Sequence, residues 1–269
     1  MPVERLNGID IHYQVEGEGD QTVLLVNGLA DDLSTWMYQT PALLAAGYQV
    51  VSFDNRGVGV SSKPAGPYST TLLAADAKSL VDHLGLTKVH LMGVSMGGMI
   101  AQRYALDYPQ DLRSLTLACT YAAPGPFCSR MFALWAETAS VHGVPFVMRD
   151  VTLWAFTLDF FRDREDELAE FETAMRYMDQ PVAAYLAQLA VIQQHDTTAE
   201  LSQLAMPTLV LAGEQDILIP TALSHELHTL IPGSQWRSTP GGHACIWEHP
   251  DAFNEAFLDF LSTYGPHGT

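Results

Sequence analysis

The residues from 93 to 97 run Gly93-Val94-Ser95-Met96-Gly97, and the chemistry legible in this chain starts from them. A G-x-S-x-G spacing suits a sharp turn that presents a serine hydroxyl between the end of a strand and the start of a helix. The flanks agree with that setting. Lys88 to Met92 is a short, mostly apolar run of strand length, and Met96, Met99, Ile100 and Tyr104 recur at helical spacing before Tyr108. Small residues at 93 and 97 let strand and helix approach closely, and Gly98 adds room. Strain is expected in the serine backbone.

A serine hydroxyl is a weak nucleophile at neutral pH. It needs a histidine to take its proton and a carboxylate to orient that histidine. In a strand-turn-helix setting the chain order is Ser, then Asp or Glu, then His. Downstream, Thr208 to Gly213 reads as a buried strand followed by Glu214-Gln215-Asp216, and Gly241-Gly242-His243 follows a strand-like stretch from Ser234 to Ser238. Asp216 and His243 are therefore both expected on loops after strands, where open α/β sheets gather reactive groups. Glu214, directly after Gly213, is the second choice of acid. Among the other histidines, His249 suits the start of a helix from Asp251 to Tyr264, and His90 suits a packed strand. His83, His225 and His228 fall on helical patterns and are expected at the surface.

Acyl transfer also needs donors for a developing oxyanion, each worth about 2.7–4 kcal/mol of transition-state stabilisation. The backbone N–H of Met96, next to the serine, is one candidate. The other is the N–H of Leu29, in the loop Asn27-Gly28-Leu29-Ala30 after the strand Thr22 to Val26. Taken alone, Asn27-Gly28 is an ordinary glycine turn.

Further strands are expected at Ile11 to Tyr13, Gln49 to Phe53 and Leu112 to Cys119, and a further helix at Ser69 to Leu84. After Cys119 the next convincing sheet strand is Thr208. Between them, residues 124–205 have helical character, opened by Gly125-Pro126 and closed by Met206-Pro207. Helices are expected from Met131, over Asp163 to Met178 and over Pro181 to Gln194, and the stretch from Val151 to Phe161 is rich in aromatic residues. The division is thus 1–123 with 206–269 as the core domain, and 124–205 as an inserted helical lid (cap). Met131, Trp135, Trp154 and Phe156 are candidates to line an apolar substrate pocket, and His195 at the end of the segment is another. Arg130, Arg149, Arg162, Arg164 and Arg176 are its permanent cations, and a carboxylate-bearing substrate would need one turned inward.

The net charge of −18, from 31 acidic and 13 basic residues, disfavours nucleic acid as a partner. A hydrophobic content of 48% supports a sizeable core, yet no run approaches the ~20 apolar residues of a membrane span. From Met1 onward no charged and then apolar leader is seen. Cys119, Cys128 and Cys245 have neither metal spacing nor even pairing, which suits a reducing cytoplasm. Gly57-Val58-Gly59 lacks the rest of a dinucleotide fingerprint.

Assembled, these segments resemble the α/β-hydrolase superfamily, in particular small bacterial carboxylesterases and hydrolases similar to 3-oxoadipate enol-lactonases. The resemblance runs through Asn27-Gly28-Leu29, Asp54 to Ser61, the turn from Gly93 to Gly98, Gly213 to Asp216, and Gly242-His243 with Trp247-Glu248-His249-Pro250. It implies an α/β-hydrolase fold, with a mostly parallel central sheet flanked by helices and a helical lid. The family usually carries His-Gly at the oxyanion loop. This chain has Asn27-Gly28, and an amide can replace some of the imidazole's hydrogen bonds. Arg56 is expected to brace that loop.

The function expected is a serine hydrolase that cleaves a small carboxylic ester or lactone through an acyl-enzyme, with an apolar substrate favoured and no metal or organic cofactor required. Three alternatives stand beside it: a carbon–carbon bond hydrolase of the meta-cleavage type, a cofactor-free perhydrolase, and a triad-bearing small-molecule receptor with slow or no turnover.

Overall fold

The computed structural model describes residues 2–265; Met1 and residues 266–269 of the expected 206–269 span lie outside them. In chain order the elements are β1 (Val3–Leu6), β2 (Ile9–Glu16), β3 (Thr22–Val26), α1 (Gln39–Ala45), β4 (Gln49–Phe53), α2 (Thr70–His83), β5 (Val89–Val94), α3 (Met96–Asp107) and β6 (Leu112–Ala118). There follow α4 (Pro126–His142), α5 (Val144–Ala155), α6 (Leu158–Asp163), α7 (Glu165–Arg176), α8 (Val182–Gln194), β7 (Thr208–Gly213), α9 (Thr221–Leu230), β8 (Gln235–Thr239), α10 (Cys245–Glu248) and α11 (Pro250–Thr263).

Eight strands make one sheet in the order β1-β2-β4-β3-β5-β6-β7-β8. β1 and β2 form an antiparallel edge, with β2 also antiparallel to β4, and the remaining pairings are parallel. The inner strands read as unbroken apolar runs because helices cover both faces. Successive side chains part to opposite faces. Leu24, Val26, Leu91, Leu115 and Val210 pack with Leu73, Ile100 and Tyr104 on one side. Val23, Leu25, Met92 and Leu209 pack with Leu43, Phe253 and Phe257 on the other. Leu91 is 1% exposed, so Leu91→Ala would cost about 2–5 kcal/mol.

The five helices α4 to α8 lie between β6 and β7, which are neighbours in the sheet. The aromatic-rich stretch from Val151 to Phe161 divides between α5 and α6. Phe156 adopts an extended backbone, and Thr157 starts α6 by accepting the Phe160 amide at 3.3 Å. The helix expected over Asp163 to Met178 is shorter, Glu165–Arg176, because Arg164 leaves helical geometry at φ −131°. Its first turn carries Glu165, Asp166 and Glu167, which favour the positive end of the helix dipole. Among the described residues no helix is long and apolar enough to cross a membrane.

Candidate active site

Ser95 stands between the last residue of β5 and the first of α3, at φ 55° and ψ −120°. A non-glycine residue in that region is strained, which fits a side chain held for a purpose. The turn is possible only with glycine beside it. A methyl group on Gly93 would lie 2.1 Å from the Gly97 carbonyl oxygen, and one on Gly97 would lie 2.0 Å from that of Val26. The Ser95 amide donates to the Ala118 carbonyl at 2.9 Å, and the Thr120 hydroxyl donates to the Ser95 carbonyl at 2.9 Å. The serine is thereby pinned to the end of β6 and the residues just after it.

Asp216 follows β7 and His243 follows β8. Asp216 Oδ2 lies 2.8 Å from His243 Nδ1, and His243 Nε2 lies 3.0 Å from Ser95 Oγ. Asp216 Oδ1 accepts the Ile219 amide at 2.9 Å, so both carboxylate oxygens are engaged. Glu214 is exposed and accepts from Ser238 at 3.2 Å, away from His243. A neutral imidazole so held can take the serine proton, and the buried carboxylate can stabilise the imidazolium that results.

The loop carrying His243 is fixed by a residue whose role the sequence did not signal. Glu248 in α10 is buried, and its Oε1 accepts the Gly242 amide at 2.7 Å. Its Oε2 accepts the amide and hydroxyl of Thr157, at 3.1 and 2.6 Å.

The loop after β3 passes beside the serine: a methyl group on Gly28 would lie 3.5 Å from Ser95 Cβ. Asn27 faces inward and ties the loop together. Its amide donates to the carbonyls of Phe53 and Asp31 at 3.0 and 3.3 Å, and its oxygen accepts the Trp36 indole at 2.5 Å. The Arg56 side chain does not brace this loop. Its guanidinium grips buried Asp76 on α2 at 2.5 and 2.6 Å. The brace comes from Gln188 on α8, which accepts the Ala30 amide at 3.2 Å and donates to the Arg56 carbonyl at 2.8 Å. Among the described residues the amides of Leu29 and Met96 meet no protein acceptor, and Met96 is the first residue of its helix. Such free donors beside a nucleophile are what an oxyanion needs.

One cavity opens over Ser95 and a second adjoins it. The inner one, about 70 Å³, is bounded by Ser95 and His243 and walled by Phe132, Trp135, Phe156, Ile192, Leu218 and Trp247. The outer one is about 670 Å³. Asp31, Met148, Met175 and Trp247 border both. Of the substrate candidates, Trp135 and Phe156 face the inner cavity. Met131 is packed in the core. Trp154 packs edge-on against Phe127 and, like Trp135, directs its indole N–H at Asp150. His195 is buried in a network with Gln102 and Thr197, where burial pushes its pKa down to about 4. Met131, Trp154 and His195 border neither cavity. The arginines at 130, 149, 162, 164 and 176 border neither cavity as well; Lys63 is the cation on the outer wall.

His90 is fully occupied between Ser114 and Gln21, and burial lowers its pKa to about 4. Cys119, Asp216 and His243 bring potential metal-ligand atoms within 4.8 Å of one another. Asp216 and His243 are already committed to each other, and the Cys119 thiol lies 3.5 Å from that of Cys245.

A strand-turn-helix serine, an acid and a histidine after successive strands, and an eight-stranded, mostly parallel sheet define a class. Residues 21–250 match the alpha/beta hydrolase fold family, and the chain belongs to that family. Its relatives include a Klebsiella pneumoniae protein carrying the name carbamate hydrolase RutD, 31% identical over 252 residues, which are 92% of this chain and 94% of that one. A Caulobacter segnis protein of the same name is 29% identical over 93% of this chain and 96% of its own. Among solved structures, the enol-lactonase from Burkholderia xenovorans LB400 superposes with a TM-score of 0.89 at 28% identity, covering 97% of this chain and 100% of that one. A thermophilic esterase from Thermogutta terrifontis superposes with a TM-score of 0.86 at 28% identity, over 95% of this chain and 94% of that one.

Proposed function

We propose that the protein is a serine hydrolase that cleaves a small carboxylic ester or lactone through an acyl-enzyme. The observation that carries this is the continuous line Asp216–His243–Ser95, with contacts of 2.8 and 3.0 Å, ending on a serine in strained geometry. Ser95 Oγ attacks the carbonyl carbon while His243 Nε2 takes its proton. Asp216 holds the imidazole through Nδ1. The amides of Leu29 and Met96 receive the oxyanion. The tetrahedral intermediate collapses as His243 returns the proton to the leaving oxygen, and water, activated by the same histidine, then releases the acid. Helices α4 to α8 act as the lid, contributing Phe132, Trp135, Phe156 and Ile192 to the acyl-side wall.

The apolar inner wall, and lid arginines directed elsewhere, favour neutral substrates over dicarboxylates. A second reading has one observation behind it: relatives carry the name carbamate hydrolase. A carbamate offers the same carbonyl to the same donors, so kcat/KM for an ester and its matched carbamate separates the two.

The test of the reaction class is labelling by a fluorophosphonate. One equivalent should attach at Ser95, and folded Ser95→Ala should take none. Stoichiometric labelling of folded Ser95→Ala would sink the assignment.

A further inference from the structure

Asp31 is the polar residue that lies on the border shared by the two cavities; its neighbours on that border are Met148, Met175 and Trp247. Its carboxyl stands beside the nucleophile. The point that a methyl on Gly28 would occupy lies 2.6 Å from Asp31 Oδ2 and 3.5 Å from Ser95 Cβ. No side-chain donor among the described residues answers this carboxyl, whose Oδ2 lies against the Gly28 backbone. A carboxyl left so short of donors beside a reaction centre has capacity for a donor or a cation brought by the ligand. The outer cavity extends the same character. Glu170 stands on its wall with the aromatic rings of Phe171, Tyr177 and Trp247, while Asp179 there is paired with Lys63 at 3.3 Å. Aromatic faces with carboxylates are the surroundings that hold a quaternary or protonated amine.

We propose that Asp31 is a specificity-determining residue, favouring esters whose far end carries a positively charged nitrogen over matched neutral or anionic esters. The proposal rests on the ester-hydrolase reading for the acyl side and adds the chemistry of the alcohol side. The acyl group occupies the inner cavity, and the alcohol crosses the border at Asp31 into the outer one. A cation there faces the carboxylate and the ring of Trp247; a carboxylate there faces like charge.

The experiment compares butyrylcholine, its carbon isostere 3,3-dimethylbutyl butyrate and the anionic 4-butyryloxybutanoate, at fixed ionic strength and about pH 8. Wild-type kcat/KM should favour the choline ester over the isostere by about fivefold or more, and over the anion by more still. Asp31→Asn should bring the cationic-to-neutral ratio to within about twofold of unity. Glu226→Gln, which removes an equal charge from the exposed face of α9, should keep the wild-type ratio. A wild-type ratio at or below one overturns the proposal. So does an unchanged ratio in Asp31→Asn, or an equal loss in Glu226→Gln. If Asp31→Asn does not fold, or no ester is turned over, tryptophan fluorescence of the wild-type protein decides. Choline should bind more tightly than 3,3-dimethylbutanol, and equal binding overturns the proposal. Turnover that persists in Ser95→Ala would instead count against the ester-hydrolase reading, whatever the charge ratio.

Discussion

Thr157 donates its hydroxyl to Glu248 at 2.6 Å, joining the start of α6 to the short helix just after His243. Because the other Glu248 oxygen holds the Gly242 amide at 2.7 Å, one carboxylate spans the start of α6 and the loop of the proposed base. Glu248→Ala leaves three donors unanswered inside the protein. Each buried orphan costs about 1–3 kcal/mol, so a loss of at least about 3 kcal/mol is expected in urea unfolding. Glu248→Gln keeps the shape but sets an amide against a donor; kcat should fall more than KM rises. A Glu248→Gln enzyme with wild-type kcat would show that the His243 loop holds its position without this carboxylate.

The two acids after β7 make a sharper comparison. Asp216→Asn removes the charge that stabilises the imidazolium and disturbs its tautomer, and kcat should drop by about 10³–10⁴. Glu214 is exposed and contacts only Ser238 among side chains, so Glu214→Gln should change kcat by less than about threefold. Steady-state kinetics on a neutral aryl ester measure both. The assignment reverses if Glu214→Gln is the more damaging change.

Burial first, and then the neighbouring Asp32, push the Asp31 pKa up to about 7, against the pull of His243 and the Gly28 amide. The other charged groups around its cavity are Lys63, Glu167, Glu170 and Asp179, with Tyr38 and Tyr177 as phenols. An unfolded aspartate releases its proton near 3.9, whereas the folded protein keeps this one to about 7. Between those values the folded state binds more protons, so stability falls as pH rises and the full penalty stands above pH 7. Asp31→Asn cannot ionise. It should stabilise the protein by roughly 1–3 kcal/mol at pH 8 and by little at pH 4. Urea melts at both pH values check this, and a gain independent of pH refutes it.

Cys119, Cys128 and Cys245 are all buried. The contact with Cys245 and burial hold the Cys119 thiol well above its usual pKa, and burial pushes Cys128 up to about 11. Thiolate is the reactive form. An aromatic disulfide reagent should therefore leave the native protein unmodified over minutes and titrate three thiols once it is unfolded. Rapid native reaction at Cys119 or Cys128 would contradict their burial.

Ser95 was legible in the sequence because its turn demands small residues at fixed positions, and the packing at Gly93 and Gly97 leaves no room for any other. Asp216 was legible because a strand of buried apolar residues ends just before it, and His243 because a glycine pair precedes it after a strand-like stretch. Asp31, Gln188 and Glu248 were not. Gln188 meets Ala30 across 158 residues and Glu248 meets Thr157 across 91, and no local spacing encodes such meetings. The segment from 124 to 205 was legible as helices but not as faces. Apolar residues occur all round α8, with Val182, Ala183, Leu186 and Ala190 opposite the buried Tyr185 and Ile192, so periodicity names no side. Trp135 and Trp154 both reach Asp150, yet only Trp135 borders the inner cavity. His195, at the end of α8, turns toward Gln102 for a hydrogen bond, which no count of residues foretells.

Because β6 and β7 lie side by side, the chain leaves the sheet and returns to it at adjacent points. The long excursion through α4 to α8 hangs from the scaffold like a handle from two neighbouring rivets, and its size is no concern of the strands that carry it. Ser95, Asp216, His243, Leu29 and Met96 all belong to the scaffold. Under the proposed function, evolution, or a chimera built by hand, is free to trade one handle for another and so change the molecules admitted without rebuilding the chemistry. Several stitches limit that freedom: a graft must still offer partners for the Ala30 amide, as Gln188 does, for Glu248, as Thr157 does, and for the Ala244 amide, as the Ala155 carbonyl does.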